Sequence, residues 1–199
     1  MMRRDAMAMA AILVSLGLVP ETAAAGTITG QVTSRFVKDT RDTVVYIDRI
    51  EGKTFPPPTE PAVIDQINKE FVPHVLPILA GSRVTFRNGD TLLHNVRSVR
   101  GRKSLFNLAT PAGGPPITKT FREPGEVAVL CNIHPEMAAY IIVLETPYAA
   151  VTGEQGRYEL VGIPEGTYRL STWHEKLKPT SQTVTVQGNE SVEVHIELK

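Results

Sequence analysis

The sequence predicts an all-β protein. Val, Ile, Thr and Tyr dominate the middle and end of the chain, in short stretches that alternate apolar with polar residues. Fifteen glycines and 15 prolines break those stretches at turn-like intervals, and no segment has the 3.6-residue periodicity of an amphipathic helix. At 199 residues the chain has room for one or two domains. Its 21 basic and 21 acidic residues cancel, so it lacks the positive field that gathers phosphate backbones, and a nucleic-acid partner is not expected.

The first segment reads as an export signal rather than a structural element. Arg3 and Arg4 form a basic start, an apolar run follows from Ala6 to Val19, and Ala23-Ala24-Ala25 supplies the small residues of a cleavage site. The run is shorter than the roughly 20 apolar residues a membrane span needs. A signal peptide over residues 1–25 is therefore expected, with the mature chain starting at Gly26 in the periplasm. The paired arginines hint at twin-arginine export, but Asp5 follows them and no fuller motif appears. No later stretch is long and apolar enough to span a bilayer.

Residues 27–33 alternate with period two, and Thr43–Ile47 is a second strand candidate. Phe55-Pro56-Pro57-Pro58-Thr59 interrupts any ladder and marks a linker or domain edge. Beyond it, Val63–Ile67, Val75–Leu79 and Arg83–Phe86 read as strands, and Asn88-Gly89-Asp90 turns the chain into His94-Asn95-Val96. A Gly/Pro loop at residues 112–116 precedes strands at Ile117–Phe121 and Val127–Leu130, the latter running into Cys131, and Tyr140–Leu144 follows. The tail alternates turns with strands at Arg157–Val161, Tyr168–Thr172 and Ser181–Gln187, and ends in one alternating strand over Ser191–Leu198.

A single cysteine cannot form an internal disulfide, so in an exported protein Cys131 is a core residue, half of an intermolecular bridge, or a metal ligand. Four of the five methionines lie in the signal segment, leaving Met137 alone, six positions after Cys131 with His134 midway. Each of the three taken singly reads as ordinary core or surface. Together, at the end of a strand, they put thiolate, imidazole and thioether on one turn, and soft sulfur with borderline nitrogen suits copper. A fourth donor must come from another segment, and His94 is the candidate. His74, His174 and His195 lack partners of matching spacing and read as structural, His195 within the C-terminal strand.

Residues 62–146 resemble the cupredoxins, and among them the amicyanin and plastocyanin type. The stretch Gly81-Ser82-Arg83-Val84-Thr85-Phe86-Arg87-Asn88, the His94-Asn95-Val96 segment, Pro124-Gly125, and the Cys131-Asn132-Ile133-His134-Pro135-Glu136-Met137 loop carry the resemblance. It implies a Greek-key β-sandwich holding one type 1 copper ion, with His94, Cys131 and His134 equatorial and Met137 axial. It also implies that Asn95 hydrogen-bonds across to the cysteine loop, and that His134 is the electron port within an apolar patch to which Pro135, Leu92 and Leu93 contribute. Gly26–Thr33, Thr43–Tyr46, Gly156-Arg157-Tyr158 and Ile163–Tyr168 resemble a carboxypeptidase regulatory-like (transthyretin-type) sandwich. The expected layout is a copper domain over residues 56–146 inserted in, or joined to, a second β-sandwich made of 26–55 and 147–199. Two-part chains of this kind resemble methylamine-utilisation-like proteins.

The function these features imply is one-electron transfer between redox partners, which the sequence does not identify. Copper delivery or storage, and a structural module with incidental copper, are the alternatives. An enzyme is not expected: the four donors fill the ligand positions, and no Ser–His–Asp or paired-carboxylate arrangement declares itself.

Overall fold

The structure is a computed structural model describing residues 25–199; residues 1–24 of the expected signal peptide lie outside the described residues. The chain opens with β1 (Ala25–Ser34) and β2 (Val44–Ile47). It continues through β3 (Ala62–Ile67), β4 (Glu70–Val72), β5 (Val75–Leu79), β6 (Arg83–Phe86), β7 (His94–Arg100), β8 (Lys103–Thr110), β9 (Ile117–Thr120), β10 (Gly125–Leu130) and β11 (Ala138–Leu144). It closes with β12 (Ala149–Val151), β13 (Arg157–Pro164), β14 (Gly166–Trp173), β15 (Ser181–Val186), β16 (Ser191–Glu193) and β17 (Ile196–Leu198). The protein is all-β: among the described residues the one helical piece is a 3-10 turn at Glu154–Gly156, and no helix is long and apolar enough to cross a membrane.

Strands β3 to β11 form two sheets, ordered β4-β3-β6-β9 and β5-β11-β10-β7-β8. The remaining strands form β13-β1-β16, with β17 also on β1, and β12-β2-β14-β15. No sheet among the described residues mixes strands of residues 62–144 with the others. Each pair of sheets encloses its own core. The inner pair buries Ile64, Val84, Phe86, Val96, Val127, Val129 and Ile141, with Cys131 and Met137 at one end of the cluster. The outer pair buries Ile28, Val45, Ile47, Leu160, Ile163, Leu170 and Val186. Burying each such side chain stabilises the fold by about 1.5–3 kcal/mol before chain entropy is subtracted.

The two pairs meet along β11 and β2. Ala139, Ile141 and Val143 of β11 face the inner core, while Ile142 and Leu144 pack with Val44, Tyr46 and Trp173 across the junction. That double burial explains the unbroken apolar run Ile141-Ile142-Val143-Leu144, since a strand covered on both faces has no solvent side to alternate with. Polar links reinforce the contact: the Trp173 indole N–H donates to Glu126 at 2.8 Å, and His74 lies 3.2 Å from Glu175. Phe55 and Tyr148, which flank the inner sheets in sequence, stack edge-on at 5.8 Å, so the chain enters and leaves the inner pair side by side.

Two expectations need correction. The C-terminal segment is not one strand: the parallel ladder with β1 stops at Val194 and His195, because the Tyr158 hydroxyl takes the Val194 carbonyl (2.6 Å). His195 thus sits between two short strands, exposed, 3.4 Å from Glu193. The second correction concerns strands the alternation rule passes over, β4, β8 and β12, of which β8 forms the edge of the five-stranded sheet.

Candidate metal centre

The site is built where two neighbouring strands end. β7 and β10 pair antiparallel, with Arg97 opposite Leu130. Extending that register by three residues puts His94, the first residue of β7, level with Ile133, inside the loop that follows β10. Sheet pairing therefore brings residues 40 apart in sequence to one place. Within β7 the pleat turns His94 to the same side as the core residue Val96, and the His94 ring has no exposed surface.

The loop from Cys131 to Met137 closes on itself. Cys131 donates its N–H to the Met137 carbonyl at 3.2 Å, and Met137 donates its N–H to the His134 carbonyl at 3.0 Å. This tight turn buries both sulfur residues, Cys131 at 4% and Met137 at 1% exposure, and leaves His134 partly exposed. The Asn95 side-chain oxygen accepts the Asn132 N–H at 2.7 Å and lies 3.5 Å from the Cys131 Sγ, while its amide nitrogen donates to Asn107 of β8 at 2.6 Å. Asn95 thus ties the loop to the sheet, as the resemblance implies.

One ligand atom from each of His94, Cys131 and His134 lies within 4.8 Å of the others. The two Nδ1 atoms stand 2.9 Å apart, and the Cys131 Sγ is 3.9 Å from the His134 Nδ1. Donors bound about 2.0–2.3 Å from a shared ion are separated by distances of this order. The donor set fits a thiophilic transition metal: two imidazoles and a buried thiol, with a buried thioether on the same loop. Among the described residues this is the one such cluster of His, Cys, Asp and Glu side chains. His74 bonds the Ala138 carbonyl at 3.0 Å and His174 is buried, its Nδ1 accepting the Lys176 N–H at 3.1 Å; neither joins the cluster.

In the sequence Asp90 reads only as part of the Asn88-Gly89-Asp90 turn, not as a site residue. Its Oδ2 lies 2.8 Å from the His94 Nε2. The Lys69 N–H, its leading partner, together with His94 and the Asn68 N–H, holds this carboxyl below the usual carboxylate range, against an opposing push from burial. Asn88 shapes the same turn: its amide nitrogen donates to the Leu92 and Thr110 carbonyls at 2.8 and 2.6 Å, and its oxygen accepts the Asp90 N–H at 3.0 Å. An acid four residues before a candidate histidine is the signal that could have pointed to Asp90. At the loop surfaces Leu92, Leu93 and Ile133 are 42%, 53% and 46% exposed, and Pro135 is exposed beside the half-covered His134. Ile133, next to His134 in the loop, is a further exposed apolar residue beside the expected Pro135, Leu92 and Leu93.

No protein-family model and no curated protein sequence matches the chain. Solved structures similar to part of it include a purple cupredoxin from Nitrosopumilus maritimus, 26% identical over 41% of this chain and 98% of that one, with a TM-score of 0.38. The amicyanin of Paracoccus versutus is 24% identical over 43% of this chain and 83% of its own, with a TM-score of 0.37. A copper-containing nitrite reductase from Thermus scotoductus is 27% identical over 50% of this chain but only 25% of its own, with a TM-score of 0.38. These likenesses are partial, and the chemistry of the site follows from its own donor atoms.

Proposed function

We propose that the protein is an exported cupredoxin-like carrier of single electrons, holding one copper ion between His94, Cys131, His134 and Met137. The observation that carries this reading is the convergence of the His94, Cys131 and His134 donor atoms within 4.8 Å, on a loop that also buries Met137. A bound copper ion would supply a Cu(I)/Cu(II) couple, which this mixture of soft and borderline donors suits in both states. The chain's own part is to hold those donors still. His94 is fixed in the β7–β8 ladder opposite Thr110, and Cys131 and Met137 by their mutual backbone bond, with Asn95 bracing the loop. Donors held from two directions need little rearrangement when charge changes, and the buried side of the site excludes water. His134 is the one donor that reaches the surface, amid Leu92, Leu93, Ile133 and Pro135, so electrons would pass there to a redox partner. The periplasm is the expected location, and the outer sheets belong in this reading to the carboxypeptidase regulatory-like type.

The test begins with the optical spectrum of the protein given Cu(II). One copper per chain and an intense blue thiolate charge-transfer band are expected. Cys131→Ser should abolish the band, while Met137→Gln should retain copper and shift the potential. Pro135→Glu should slow electron exchange and leave the spectrum nearly unchanged. A blue Cys131→Ser protein would overturn the ligand assignment. Ready loss of copper from the reduced protein to a Cu(I) chelator would favour delivery over electron transfer.

A further inference from the structure

The Asp90 carboxylate sits between the candidate ligand His94 and the tip of a hairpin on the opposite sheet. β3 and β4 pair with Ile67 opposite Glu70, leaving Asn68 and Lys69 as a two-residue turn. Both have left-handed backbones, with φ of 54° and 61°, as such turns require. Asparagine tolerates that conformation, whereas lysine adopts it against its steric preference. The two successive N–H groups converge on one carboxylate: Asn68 donates to Oδ1 at 2.6 Å and Lys69 to Oδ2 at 2.9 Å. Paired backbone donors of this kind make a concave anion site. The same Oδ2 faces the His94 Nε2 at 2.8 Å, and the Asp90 side chain is only 13% exposed.

A carboxylate held by two N–H donors can only accept from a third group, so the His94 Nε2 must carry a proton. A neutral ring has one such proton. Its Nδ1 is then left with a lone pair, and that atom is the one 2.9 Å from the His134 Nδ1 within the cluster. The ring has no exposed surface and a partner at each nitrogen, so it can neither turn over nor exchange tautomers without breaking a buried contact.

We propose that Asp90 is a positioning residue: clamped by the Asn68–Lys69 turn, its carboxylate fixes the His94 imidazole in the one tautomer and orientation that can bind a metal through Nδ1. This rests on the copper reading of the site, but the tautomer is a property of the protein without metal. A fixed anion behind the ring also makes Nδ1 a stronger donor, which favours the more highly charged Cu(II) over Cu(I). An asparagine in its place offers one acceptor to three N–H donors. Either a turn amide or the His94 Nε2 then faces an amide NH2.

Nitrogen-15 NMR of the metal-free protein reads the tautomer directly. His94 protonated at Nε2 is the expected result, and protonation at Nδ1 in the unaltered protein would overturn the proposal whether or not any variant folds. In Asp90→Asn, a mixed or reversed tautomer is expected, with Cu(II) binding weakened about 10–100-fold and more than Cu(I) binding, hence a higher reduction potential. Asp90→Ala should do the same, and thermal unfolding of both metal-free variants separates folding from positioning. A lowered melting temperature with unchanged tautomer and an unchanged Cu(II)-to-Cu(I) affinity ratio would make Asp90 a purely structural residue. If the unaltered protein binds no copper while His94 remains protonated at Nε2, the copper reading fails and the positioning role stands.

Discussion

Tyr158 shows how much one buried hydroxyl governs. It donates to the Val194 carbonyl at 2.6 Å, and burial pushes its pKa up to about 12 from an ordinary value of 10. Below pH 10 the folded and unfolded chains both keep the proton, so the group adds no pH dependence. Between pH 10 and 12 the unfolded chain releases its proton first, and stability falls as pH rises, by at most about 3 kcal/mol across the window. Tyr158→Phe should flatten that alkaline loss, leaving the residual slope of Tyr46, Tyr140 and Tyr168, whose hydroxyls burial also raises. At neutral pH the same change should cost about 1–3 kcal/mol for the orphaned carbonyl. Denaturant titrations at pH 7 and pH 11 measure both, and an unchanged slope would show that Tyr158 ionises normally. At this scale the sequence is most legible where composition is singular: one cysteine, and one methionine beyond the first nine residues, on a loop with a histidine. Asp90 was hidden because its role is a hydrogen bond set by two turns, and no spacing rule encodes the direction of a carboxylate.

Gly30 is where packing between elements is tightest. A β-carbon there would lie 1.8 Å from the Val194 carbonyl oxygen and 2.7 Å from its carbon, both backbone atoms that cannot swing aside. Gly30→Ala should therefore push the C-terminal segment off β1, costing about 3 kcal/mol or more by overpacking. Hydrogen exchange should show the loss concentrated in β16 and β17; uniform protection equal to the parent's would contradict the close approach. Alternation predicts one strand over residues 191–198 because it continues through Val194, whereas the break comes from a side chain on another strand. It passes over β8 for a different reason. Phe106, Leu108 and Thr110 turn inward there, but Leu105 points out at the sheet edge and spoils the period. The unbroken apolar run of β11 predicts a strand and also points to a second covered face, which Ile142 and Leu144 form.

Across the whole molecule the question is whether the outer sheets stand alone. Pro56-Pro57-Pro58 is legible in the sequence as a break because proline ends ladders, but the junction is not, since it is made from residues far apart in the chain. Those residues set the terms of an excision experiment. Phe55 and Tyr148 stack at 5.8 Å, so a short Gly/Ser loop in place of residues 60–145 closes a gap that is already small. Thr146 remains to donate to the Ile47 carbonyl at 2.6 Å. The shortened chain keeps the outer core of Ile28, Ile47, Leu160, Ile163 and Leu170 and should unfold cooperatively in denaturant. It should also self-associate, because removing β11 uncovers Val44, Tyr46 and Trp173 on one sheet face. Trp173 further loses the Glu126 acceptor of its indole N–H. Val44→Thr with Trp173→Gln should restore a monomer without abolishing the transition. Sedimentation and denaturant curves on both chains decide the matter: a shortened chain with no cooperative transition in either form would mean that the outer sheets need the inner pair to fold.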